Sequence, residues 1–276
     1  MAFGVDYSFD RPDPGAMRRN QPPVEFVCRY LRGNGKALSR AESERLNNAG
    51  ISIVSNDELE KGFMLGGHGA GVAAAKAASA AHKACGGPDH RPIYFSLDVD
   101  WKTLSPRQHD AVMAFLDGAA SVIGRDRVGI YGGFPTIEAA VKSGKAAWFW
   151  QTRAWSDGKL HDRAHIFQFE VDTKKHPVRA FGAAVDFDRS LKADYGQWKI
   201  GQHFEEDIDM ATGDEIMTFL KTLRQDLTVF GTHGLHETVE NFAKNQRSTR
   251  NQLDDLEKKV ADLATRVQAL AGHPHP

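Results

Sequence analysis

The chain has 276 residues, 41% hydrophobic and 26% charged, with 35 Lys and Arg against 36 Asp and Glu and a formal net charge of -1. That length suits one α/β barrel plus an appendage, and the balanced composition excludes wholesale disorder and a general electrostatic footprint for nucleic acid. The start, Met1-Ala2-Phe3-Gly4-Val5-Asp6, has no basic region followed by an apolar core, and no apolar run is long enough to span a membrane, so the expectation is a protein made in the cytoplasm without a signal peptide.

Short apolar runs alternate with helical segments, the pattern of parallel strands in an α/β fold. Eight strands are predicted: 3–7, 25–31, 51–55, 92–98, 127–131, 147–151, 164–169 and 183–187. Cys28 lies inside the second, Cys85 ends a helix, and two such thiols have neither metal-ligand spacing nor the numbers of a disulfide framework. Ser39 with Glu42 reads as a capping box opening a helix that Gly50 stops. The alanine-rich 71–85 is a second helix. Ser105-Pro106 starts a third, and 135–143 is a fourth, stopped by Gly144. The stretch 155–162 after the sixth strand reads as short and irregular. Eight strands interleaved with helices over about 190 residues predict a (β/α)8 TIM-type barrel. An open doubly wound sheet is the rival, but no Gly-x-Gly-x-x-Gly follows the first strand.

The barrel is assigned to 1–200, a helical connector to 201–244 and a coiled-coil tail to 245–276. In the tail, Leu253, Leu256, Val260, Leu263, Val267 and Leu270 are spaced alternately three and four apart, an a/d seam that predicts a homo-oligomer through Leu253–Leu270. A lone amphipathic helix packed on the barrel is the other reading.

The strongest chemical signal is Tyr94-Phe95-Ser96-Leu97-Asp98-Val99-Asp100. Alternate residues of a strand share a face, so Asp98 and Asp100 are expected to point together with Cα atoms roughly 6.6 Å apart. Crowded carboxylates raise at least one pKa, which a general acid at neutral pH requires. A pair of solvated aspartates capping the next helix has the same spelling. Strand one ends in Asp6-Tyr7, and strand eight ends in Asp186-Phe187-Asp188; in a closed barrel these strands are neighbours, so Asp6 and Asp186 share a wall of the rim where barrel enzymes keep their chemistry. Tyr131, Trp150, Gln151 and Gln168 supply the aromatic faces and planar amides that suit a sugar. The twelve histidines form no His-x-x-x-His pair on a helix, and no Gly-x-Ser-x-Gly elbow occurs, so neither a metal nor a serine nucleophile is expected.

Taken in order, Gly4–Tyr7, Phe26–Tyr30, Ile93–Asp100, Gly129–Gly132, Trp148–Gln151, Ile166–Gln168 and Val185–Asp188 resemble the family 25 glycoside hydrolases, the lysozyme-like muramidases. The resemblance is closer to a group of glycoside-hydrolase-like barrels from actinobacteria and their phages, and it covers about 2–195. It implies hydrolysis of a glycosidic bond in bacterial cell-wall glycan, peptidoglycan, without a cofactor. The family pattern has Asp-x-Glu with the glutamate as general acid, a position that reads Asp100 here, one methylene shorter. It makes Asp98 the charge-stabilising partner, with Asp6 and Asp186 completing the catalytic set and Tyr7, Arg29, Tyr131, Trp150, Gln151, Gln168 and Asp188 binding substrate. The competing reading is a glycan-binding or structural module that does not cleave, oligomerised by its tail in a phage virion alongside other virion proteins.

Overall fold

The computed structural model describes residues 1–173 and 176–201. The helical connector and the heptad seam lie outside the described residues. Described strands and helices run β1 (Phe3–Asp6), α1 (Pro14–Arg19), β2 (Val24–Tyr30), α2 (Arg40–Asn48), β3 (Ser52–Asp57), α3 (Gly67–Ala84), β4 (Ile93–Ser96), α4 (Pro106–Ile123), β5 (Val128–Gly132), α5 (Phe134–Ser143), β6 (Trp148–Thr152), β7 (Ile166–Glu170), β8 (Arg179–Ala180), β9 (Ala183–Ala184) and β10 (Asp186–Ser190). The local punctuation works as the sequence predicts at α4, where Ser105 and Gln108 form a reciprocal capping box around Pro106. At α2 only half of the expected box forms. Ser39 accepts from the Glu42 backbone N–H, but the Glu42 carboxylate turns inward to Arg29 and Tyr7.

Eight strands close into a barrel in the order β1-β10-β7-β6-β5-β4-β3-β2. The pairs from β1 through β7 are parallel, whereas β10 runs antiparallel to both β1 and β7. The architecture is therefore α/β with a mixed barrel, and among the described residues it departs from a strict (β/α)8 repeat. No helix joins β6 to β7, and the hairpin β8–β9 replaces a crossover before β10. The last strand also begins three residues later than predicted, because Ala183-Ala184 belongs to that hairpin. Side-chain alternation reads the same in either chain direction, and an antiparallel return needs no crossover helix.

Alternation divides the barrel wall. Phe26, Cys28, Val54, Tyr94, Tyr131, Trp150 and Ile166 fill the interior, while Val27, Ile53, Phe95, Ile130 and Phe149 pack outward. Two glycines make room inside: a Cβ on Gly4 would lie 2.4 Å from the Phe26 ring, and one on Gly129 would lie 2.7 Å from Tyr94. Burial of each of these large rings stabilises the barrel by roughly 1.5–3 kcal/mol. Tyr195 packs tilted against Phe26 with centroids 4.7 Å apart, and Trp198 exchanges two 2.8 Å backbone hydrogen bonds with Ile53, closing the end where the parallel strands begin. The opposite end, where those strands finish, stays open.

Candidate functional site

A cavity of about 340 Å³ opens at that end. Five carboxyl groups line it, Asp6, Glu58, Asp98, Asp172 and Asp186, together with the aromatic side chains Tyr30, Tyr131, Trp150 and Trp155. Asp6 is the last residue of β1, so the outgoing strand delivers it to the rim. Asp186 arrives by the opposite route, as the first residue of the antiparallel β10, and pairs in register with Asp6. The predicted neighbourhood of the two forms although the predicted strand direction does not: reversing the strand also exchanges its start for its end.

A hydrogen-bond chain organises the floor. Tyr131 Oη donates to Gln168 Oε1 at 2.8 Å, which fixes the amide so that Nε2 faces the acids. That nitrogen donates to Asp6 Oδ2 at 2.7 Å and to Asp186 Oδ2 at 3.0 Å. The Asp172 backbone N–H donates to the other Asp186 oxygen at 2.5 Å. Below them Trp150 Nε1 donates to Asp188 Oδ1 at 2.9 Å, while Asp188 Oδ2 is buried with no N–H or other standing donor. The neighbouring Asp6 carboxyl is the group that can donate to that oxygen when it carries a proton. Burial, then the charge of Asp188, pushes the Asp6 carboxyl well above the usual range. Burial, then Asp6, pushes Asp186 up to about 8, and burial likewise lifts Asp188 to about 8. The three acids form one coupled set whose pKa values are all raised, so the set holds protons to higher pH than isolated aspartates do. Among the described residues no three His, Cys, Asp or Glu side chains are arranged to hold a metal ion.

Asp98 lies on the loop just past β4, lines the cavity and pairs with Lys61 Nζ at 3.1 Å. Asp100 does not join it. The strand ends at Ser96, and Asp100 Oδ1 accepts from the Lys102 backbone N–H at 3.0 Å, capping a short 3-10 turn outside the cavity lining. Gln168, Tyr131 and Trp150 face the mouth as expected. Asp188 shares their face but sits beneath the mouth, fully buried. Tyr7, Arg29 and Gln151 are on the wrong side of the wall, a correction that the strand period explains. Each follows an inward residue (Asp6, Cys28, Trp150), so each points outward. Arg29 Nε donates to Glu42 Oε1 at 2.8 Å, and Tyr7 Oη donates to the same oxygen at 3.0 Å, a buried clamp between β1, β2 and α2. Gln151 holds the loop after β6 through Ser156 Oγ, Lys159 O and His161 N.

Sequence reasoning missed Tyr30, Asn56, Glu58, Trp155 and Asp172 in the lining. The signal for Asn56 and Glu58 was present. They follow the apolar run of β3 as Asp98 follows that of β4, and burial raises the Glu58 carboxyl above its ordinary value. Trp155 and Asp172 sit on loops whose course periodicity does not encode.

A family model described as Rv2525c-like, glycoside hydrolase-like domain matches residues 18–190. Rv2525c of Mycobacterium tuberculosis, named as a candidate peptidoglycan hydrolase, is 37% identical over 168 residues, covering 59% of this chain and 68% of its own length. The crystal structure of Rv2525c, a Tat-secreted protein, in complex with L-tartrate superposes with a TM-score of 0.64 and 32% identity, over 71% of this chain and 98% of that one. An uncharacterised B. stearothermophilus protein shares the fold at TM-score 0.50 and 17% identity, over 70% of this chain and 97% of its own. The Tat-secreted relative overturns the expectation of a cytoplasmic protein assembled into a phage virion. A leader is a removable segment independent of the barrel, so barrel residues carry no record of the route taken.

Proposed function

This chain belongs to the family of Rv2525c-like, glycoside hydrolase-like domains, and on that premise we propose that its barrel mouth takes up bacterial cell-wall glycan and hydrolyses a glycosidic bond in it. The observation that carries the reading is one cavity holding a proton-retaining carboxyl, Asp186, and a solvent-reaching carboxylate paired with a lysine, Asp98. Cleavage needs both: an acid to protonate the leaving oxygen and a carboxylate to stabilise positive charge at the anomeric carbon or orient an acetamido group. Asp186 fills the first role and Asp98 the second, while burial and Asp6 keep Asp186 protonated and Gln168 aims it. Tyr131, Trp150 and Trp155 offer ring faces to the sugar. The place of action is outside the cell membrane, as befits a relative of a Tat-secreted protein.

The test is loss of turbidity and release of sugar from purified cell walls. Asp186→Asn and Asp98→Asn each lose about 10²-fold or more, through the lost proton or lost electrostatic stabilisation. Asp100→Asn stays within about twofold, because asparagine caps a turn as aspartate does. Wild-type activity falls as pH rises through about 8, where Asp186 gives up its proton. Full activity in both Asp186→Asn and Asp98→Asn would remove the assignment. One observation favours a second reading, a module that binds without cleaving: Asp100, aligned with the family's proton-donating glutamate, caps a turn instead of facing the cavity. In that case the protein pelleted with cell walls releases no sugar.

A further inference from the structure

Beside the mouth lies a second, more open cavity of about 380 Å³. The two meet across the segments 98–102 and 154–157, each contributing residues to both linings. This dividing wall is built under strain. Trp155 and Asp157 hold φ values of 57° and 50°, a left-handed backbone that a bulky side chain adopts only when its surroundings impose it. The surroundings do impose it: Gln151 and Ser156 pin the loop, Lys102 Nζ bonds Asp157, and Gly133 leaves space where a Cβ would come within 2.9 Å of Trp155.

The two cavities differ in charge. Five carboxyl groups face the first, with Lys61 as its one basic lining residue. Lys102, Lys142 and Lys159 face the second against Glu138 and Asp157, over an apolar floor that includes Trp101 and Phe134. Lys159 Nζ sits 5.6 Å above the Phe134 ring, and Lys142 Nζ pairs with Glu138 at 2.5 Å. Such exposed pairs are weak enough to be exchanged for a ligand's carboxylate. The only basic side chain lining the mouth, Lys61, is already paired with Asp98, so the mouth takes uncharged sugar rings and offers an acidic branch of the substrate no free cation.

We propose that this second cavity is a subsite for a carboxylate-bearing peptide branch attached to the glycan, making the preferred substrate a peptide-substituted strand over a bare one. The inference rests on the glycan reading above and adds the substrate class. It is tested by the binding of the full-length protein to soluble, uncross-linked peptidoglycan strands carrying their peptide stems, beside the same strands stripped of stems by an amidase. The expected result is tighter binding of the stem-bearing strand by a factor of roughly five to ten, from a few partly exposed charge pairs, shrinking as salt is raised. Lys142→Ala/Lys159→Ala brings the ratio of the two affinities close to one, and Lys142→Arg/Lys159→Arg restores it. Equal binding of both strands by the wild type overturns the subsite while leaving the glycan reading intact. Binding of neither strand overturns the glycan reading itself.

Discussion

At Asp188 a single buried oxygen decides the chemistry of its neighbours. It has no standing donor, so the Asp6–Asp188 contact requires a proton, and Asp186 is raised in turn by Asp6. The unfolded chain gives up such protons near 3.8, whereas folded Asp186 and Asp188 keep them to about 8. The stabilisation they contribute is therefore complete below the unfolded pKa and is lost as pH rises through about 8. Asp188→Asn keeps the acceptor for Trp150 and presents an N–H₂ toward Asp6, removing one group from this titration. Relative to wild type, the variant gains at least about 1 kcal/mol of stability between about pH 5 and about pH 9, read from urea midpoints at the two pH values. Parallel behaviour of the two proteins would mean that Asp188 is ionised in the fold. The outward placement of Tyr7, Arg29 and Gln151 was legible in the sequence, since each stands one residue from an inward one. Asp98 and Asp100 escaped the same rule because β4 stops at Ser96, before either.

At the scale of elements, the connection from β6 to β7 is the short irregular loop that the sequence predicts at 155–162, and one side chain stands in for the helix a strict repeat would place there. Gln151 is fully buried, and its amide bonds Ser156 Oγ at 3.1 Å, Lys159 O at 2.7 Å and the His161 N–H at 2.8 Å. Gln151→Ala removes all three bonds and leaves buried partners unsatisfied, so the expected loss is about 2–4 kcal/mol in urea unfolding. Backbone amides of 153–162 should exchange faster with solvent even where the rest of the barrel keeps its protection. Unchanged exchange in that loop would mean that the strained Trp155–Asp157 wall is held by other contacts. The reversed β10 belongs to this scale as well. Its residues alternate as a parallel strand's would, and only its pairing with β1 and β7 sets its direction.

Over the whole molecule, the barrel within 1–202 and the segment 203–276 are separate units. Among the described residues no helix is long and apolar enough to cross a membrane. The heptad seam Leu253–Leu270 lies outside the described residues, so its role stands as a proposal from sequence: six apolar side chains on one stripe associate with copies of themselves. Light scattering of the full chain at micromolar concentration should give a multiple of the monomer mass, and a chain ending near Lys244 should give the monomer. Monomers in both cases would send the stripe to a different partner surface.

The sequence by itself determined the number of strands in the barrel, most of the helix boundaries and the gathering of Asp6, Asp98 and Asp186 at one rim, because apolar period, capping residues and the acids that end apolar runs are all local signals. It also carried the family, through short motifs held in order along the chain. The tertiary structure alone decided the direction of β10, the descent of Asp188 below the mouth, the turn of Glu42 from its cap to Arg29, and the arrival of Glu58, Trp155 and Asp172 in the lining. Each of these depends on which distant residue lies opposite, and a local pattern holds no information about pairing across the barrel. The same limit applies to the proton-sharing acids: their elevated pKa values come from mutual burial, a property of the closed barrel and not of any one aspartate.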